Sequence, residues 1–98
     1  MRLDAAVDVI HKHRIGSCKG RLSATPQGLR YDTSNKDDAF SVRLPDLQGF
    51  EVDYLAKVLK VQTKGKRYEF TDPEGNADRL FVFHRDVDAA RKKLKDNP

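Results

Sequence analysis

The histidines and the one cysteine of this sequence are the side chains best suited to holding a metal ion or moving a proton. His11 and His13 are separated by one residue, and Cys18 follows past Gly16. On a strand, a His-x-His pair presents both imidazoles on one face, about 6–7 Å apart by strand rise. The thiolate and the third imidazole would complete a tetrahedral zinc set of His11, His13, Cys18 and His84. This spacing lacks the close ligand pairs of a zinc module, and only a strand pairing could bring His84 near. The plainer expectation is that Cys18 is a small core residue and the histidines sit at a rim or make structural hydrogen bonds.

Other chemistry finds less support. Ser17 and Cys18, with His11 and His13 nearby, offer a nucleophile and a base. No orienting acid, oxyanion-hole motif or Gly-rich phosphate loop accompanies them, so the expectation is a protein that is not an enzyme and needs no cofactor. Asp72, Glu74, Asn76 and Asp78 space their oxygens like a calcium loop. The sixth and twelfth positions, however, hold Ala77 and Phe83 where such a loop needs Gly and an acid. A turn whose Asp and Asn side chains satisfy backbone amides is expected there.

Basic residues gather on one predicted ribbon, Lys57, Lys60, Lys64, Lys66 and Arg67, with Lys19 and Arg21 nearer the N-terminus. Such cations could meet membrane phosphates or a nucleic-acid backbone, with a contact that weakens in salt. The competing expectation is a solvated outer face whose lysines discourage edge-to-edge aggregation. No aromatic residues are interleaved as stacking platforms, which argues against nucleic acid. The net charge of +4 allows attraction to anions without requiring it.

The elements that must position these residues are short and mostly β. Ninety-eight residues form one domain, 1–98, in which no apolar run reaches the roughly 18 residues of a membrane span. Asp4 stands where the apolar core of an export signal would begin, so none is expected, and a single cysteine fits a reducing compartment, with cytoplasm the default expectation. Period-two stretches separated by turns predict strands over 15–25, 29–32, 40–44, 50–54, 57–63 and 66–71. Lys64-Gly65 marks a hairpin, with Tyr68 and Phe70 inward on the returning strand. Residues 79–84 read as a seventh strand and 86–95 as a helix capped by Asp86, with Val87, Ala90 and Leu94 on one face. A single helix over 77–96 also keeps Leu80, Phe83 and Val87 in helical spacing. Residues 3–13 read as helix or, from the β-branched Val7, Val9 and Ile10, as a strand running into the first.

The stretches from His11 to Gly20, from Phe50 to Tyr54 and from Phe70 through Asp86 resemble bacterial pleckstrin-homology-like (PH-like) domains, across nearly the whole chain. The resemblance implies a mainly β (α+β) fold: a seven-stranded, partly open barrel of two orthogonal antiparallel sheets, capped by a C-terminal helix. It also implies a binding or adaptor module. Phosphoinositide-binding relatives carry a Lys at the end of the first strand and an Arg-x-Arg-like pair in the second. Here Lys19 and Arg21 precede a loop, Pro26-Gln27-Gly28, without a basic residue, and the second strand offers only Arg30. The leading expectation is therefore a protein or peptide partner, held where a strand and the helix form a groove. The alternative is weak electrostatic attachment to an anionic membrane or nucleic acid through the 57–67 hairpin.

Overall fold

The computed structural model describes the backbone of residues 3–12, 16–34 and 36–96, and their side chains as far as Leu94. Among these residues seven strands precede one α-helix: β1 (Ala5–Lys12), β2 (Ser17–Thr25), β3 (Gly28–Thr33), β4 (Phe40–Val42), β5 (Gly49–Asp53), β6 (Val58–Thr63), β7 (Lys66–Thr71) and α1 (Ala77–Asp96). Every strand pairing is antiparallel, and the order across the sheet is β4-β3-β2-β1-β7-β6-β5. The chain thus makes two meanders, β1–β4 and β5–β7. Among the described residues, the strands of the two meanders pair where Ile10 and His11 meet Thr71 and Phe70. The two sheet edges, β4 and β5, follow one another through a short 3-10 turn, Leu44–Asp46, where Pro45 cannot donate to a ladder.

Alternation of apolar and polar side chains gives each meander one inward face. Leu22, Leu29 and Tyr31 from the first meander, Phe50, Leu59, Val61 and Phe70 from the second, and Leu80, Phe83 and Val87 from α1 form one buried cluster. A mainly β sheet with a helix against its core is therefore the architecture. Arg91 fastens the helix further, donating from Nη2 to the Leu47 carbonyl at 3.1 Å.

Membership of the elements departs from the sequence expectation in several places. Residues 79–84 are helix, and α1 starts at Ala77 rather than at Asp86, which lies inside it. The loop before the helix explains the early start. Asp72 accepts the Glu74 and Asn76 amides at 2.9 Å each, and Asn76 Oδ1 accepts the Asp78 amide at 3.2 Å. Helical spacing then buries Leu80, Phe83 and Val87 together, while Ala90 is half-buried and Leu94 is exposed. The seventh strand is instead β1, which is separate from β2 and pairs with it along its whole length. The strand expected over 40–44 is β4 and stops at Val42, and Leu44 is buried from the 3-10 turn. The strand at 50–54 ends at Asp53, whose carboxylate accepts the Leu55 and Ala56 amides and turns the chain. That turn leaves Tyr54 exposed and Lys57 left-handed at φ 58°, just before β6.

Candidate functional site

His11 and Cys18 are cross-strand partners on the inward face of the β1–β2 hairpin. Two further side chains join them from β3 and the loop after it. Tyr31 reaches Cys18 from β3, its hydroxyl 3.3 Å from Sγ. Gly20 makes that approach possible, because a Cβ there would run into the Tyr31 ring and lie 2.5 Å from the Asp32 carbonyl oxygen. Asp38 arrives from the β3–β4 loop and is buried, as is His11. Its Oδ2 lies 3.4 Å from His11 Nδ1 and 3.7 Å from Cys18 Sγ, while Nδ1 is 3.7 Å from the same sulfur. The other carboxylate oxygen, Oδ1, accepts from Lys66 Nζ at 2.9 Å, and that ammonium also donates to the Asp37 carbonyl at 3.1 Å.

The rings of Tyr68, Phe70 and Tyr31 enclose His11, with centroids 5.0, 5.6 and 6.2 Å away. Burial pushes the Tyr31 phenol well up, and the hydrogen bond to Cys18 adds to it. Lys66 is also raised, chiefly by its bond to Asp38.

The cluster does not have the layout of a nucleophile–base–acid relay. Such a relay places the nucleophile on one imidazole nitrogen and the acid on the other. Here Cys18 and Asp38 both approach Nδ1. Ser17, the hydroxyl beside Cys18 in sequence, is exposed and its strand partner is Lys12.

Of the four metal-ligand candidates, the structure brings together His11 and Cys18. His84 is on α1, where its ring stacks on Phe50 at 4.9 Å and Nε2 donates to the Phe50 carbonyl at 3.1 Å. It is therefore a structural link between helix and β5. His13 lies outside the described residues. Asp38 was missed because its contacts span 20 and more positions of sequence and no local spacing signals them.

The candidate anion-binding residues are exposed but interleaved with acids. Lys60 stands between Glu51 and Glu69 on the neighbouring strands, and Arg21 stands between Asp8 and Asp32. Lys66 is committed to Asp38. Lys19, Lys57, Lys64 and Arg67 remain as exposed cations spread over β2, the turn before β6, and the β6–β7 hairpin.

Strand and helix meet in two places. Along β5 the helix is closed down by His84 on Phe50 and by Phe81 against Tyr54, 4.8 Å between ring centres. Along β1 it is not. The pairing of β1 with β7 covers only Ile10 and His11, so Ala5–Val9 has a strand partner on the β2 side alone among the described residues. Between that stretch and the start of α1 lies a cleft of about 620 Å³. Ala5, Val7, Val82 and Phe83 give it apolar walls, and Asp4, Asp8, Asp78 and Asp86 outnumber Arg21 and Arg79 around it. The sequence carried a faint sign of this, since Asp78 and Asp86 are eight apart and share a helix face.

No family model matches the chain, and no curated protein matches it. Among solved structures it is similar to the C-terminal domain of an unknown protein from Leishmania infantum. The TM-score is 0.56 at 13% identity, over 80% of this chain and 77% of that one. The likeness is one of fold.

Proposed function

We propose that this chain is a non-catalytic, PH-like binding module that receives an extended, cationic peptide segment of a partner protein beside β1. The cleft between Ala5–Val9 and α1 carries this reading. An extended segment placed there meets a strand edge without a neighbouring strand among the described residues, apolar walls at Val7 and Val82, and four carboxylates, of which Asp86 accepts from Arg85, against the guanidinium groups of Arg21 and Arg79. Main-chain pairing supplies affinity in this mode of recognition, and alternate side chains supply selectivity. The PH-like label is supported by two antiparallel meanders followed by a C-terminal helix. Attachment to anionic surfaces draws less support, because Lys60 and Arg21 are each flanked by two acids and Lys66 is engaged.

The test is a chemical-shift titration of the isotope-labelled protein with a short peptide alternating Lys and Val. Shifts centred on Val7, Val82 and Phe83 are expected, weakened about tenfold or more by Asp78→Lys or Val82→Lys. The matching Glu-Val peptide should produce none. Equal binding of the acidic peptide, or shifts confined to the 57–67 hairpin on adding anionic vesicles, would overturn the reading.

A further inference from the structure

We infer that His11 Nδ1, Cys18 Sγ and Asp38 Oδ2 form a binding site for a divalent cation of the zinc class. The inference stands on the geometry of these three side chains and does not rest on the peptide reading.

Zinc bonds to sulfur at about 2.3 Å, to imidazole nitrogen at about 2.0–2.1 Å and to carboxylate oxygen at about 2.0–2.2 Å. At the tetrahedral angle, such bonds set nitrogen and oxygen roughly 3.4 Å apart and sulfur roughly 3.6 Å from either. The corresponding separations here are 3.4 Å for Nδ1 to Oδ2, and 3.7 Å from Sγ to each of them. The three atoms therefore form a triangle of the size that a single ion spans, within the ~0.2 Å tolerance of a plausible site.

Hydrogen bonds and ion pairing can link these atoms in pairs, His11 with Asp38 and Cys18 with Asp38 or Tyr31, but no single hydrogen bond joins all three. A thiol has one proton, which it can give to Nδ1 or to Oδ2 but not to both. Sulfur is a weak donor, and each of these separations is long. An ion attracts all three atoms at once. Nitrogen, thiolate and carboxylate together also suit zinc rather than magnesium or calcium, which favour oxygen alone.

The surroundings hold the ligands in place. His11 and Cys18 are fixed to each other by the β1–β2 register, and the aromatic rings around His11 restrict its orientation. Lys66 holds Oδ1 of Asp38 at 2.9 Å, which turns Oδ2 towards the imidazole and the sulfur. Outer hydrogen bonds of this kind orient ligating carboxylates in metal sites. Cys18 is only partly buried, so an ion has a route of approach on its side. Bound there, the ion would tie the β3–β4 loop to the β1–β2 hairpin. Among the described residues three side chains supply ligands, which leaves one position of a tetrahedral ion for a further donor.

Titration of the metal-free, reduced protein with Co2+ and then Zn2+ tests this directly. The expected result is one equivalent of Co2+ with a thiolate-to-cobalt charge-transfer band, bleached by one equivalent of Zn2+. Cys18→Ser and Asp38→Asn should each remove the band or weaken binding at least ~10-fold, the lower range seen when a mere outer partner of a ligand is lost. His84→Gln should leave it unchanged. Absence of a charge-transfer band in the folded wild-type protein overturns the inference whatever the variants do. So does a band that survives Cys18→Ser, or one that disappears with His84→Gln while the variant keeps its fold by near-UV circular dichroism.

Discussion

Replacing Leu80 and Val82 separately by alanine distinguishes a helix from a strand at 79–84, because the two geometries distribute these side chains differently. In a strand, positions 80 and 82 share a face and would be buried or exposed together. In α1 they part: Leu80 is fully buried beside Phe83 and Val87, whereas Val82 is 47% exposed. Truncating a buried Leu to Ala loses transfer free energy and leaves a cavity, at a cost of about 2–5 kcal/mol. Truncating the exposed Val82 loses little packing, and alanine's better helix propensity returns about 0.5 kcal/mol, so the net change should stay within ~0.5 kcal/mol of zero. A domain of this size shifts its melting temperature by about 4–8 °C per kcal/mol. Leu80→Ala should therefore melt at least ~8 °C lower than wild type, and Val82→Ala within a few degrees of it. Urea denaturation followed by circular dichroism, with equal slopes for the three proteins, gives the free energies. A Val82→Ala loss comparable to that of Leu80→Ala would refute the helical assignment.

Gly20→Ala should cost about 1–3 kcal/mol through overpacking against the Tyr31 ring and the Asp32 carbonyl, measured by the urea midpoint; an unchanged midpoint would mean that β2 and β3 are not in this register. Asp72→Ala removes a buried carboxylate that accepts two amides of an otherwise exposed turn and should cost about 1–3 kcal/mol by thermal unfolding, with a change under about 0.5 kcal/mol counting against the turn. Tyr31 and Lys66 both hold their protons to higher pH when folded than their ordinary values of 10.0 and 10.5, so the unfolded chain releases protons first. Their contribution is fully present below about pH 10 and is lost as pH rises through the folded values. The urea midpoint of the metal-free protein should fall between about pH 8 and about pH 11, and fall less in Tyr31→Phe; an equal fall in both would remove Tyr31 from this account.

Much of the sheet was legible because a half-buried strand writes its burial at period two. Leu29 and Tyr31 alternate with Arg30, and Tyr68 and Phe70 with Glu69, so these inward faces follow from the residues alone. The Lys64-Gly65 turn fixed the β6–β7 hairpin in the same local way, with Gly65 at φ 84°. The stretch from Arg79 to His84 was ambiguous because aromatic and β-branched residues suit a strand while Leu80, Phe83 and Val87 also keep helical spacing. Local propensity could not settle it. The sheet position beside β7 is taken by β1, and the Asp72–Asn76 turn sends the chain into a helix instead.

By itself the sequence determined a mainly β chain with a C-terminal amphipathic helix, and it placed His11 and Cys18 among the side chains able to hold an ion. Only the tertiary structure decided which partner completes that group. Asp38 is 27 residues from His11 and 20 from Cys18, and it meets them through the β3–β4 loop, while His84, favoured by residue type, is drawn to Phe50 by the packing of α1. The cleft beside β1 has the same origin, since it exists only where β1 parts from β7 and the helix lies alongside. Side-chain chemistry and periodicity are properties of short stretches of chain and can be read there. Convergence of three atoms to within 4 Å is a property of strand register and loop path, which are settled by the burial of the whole core.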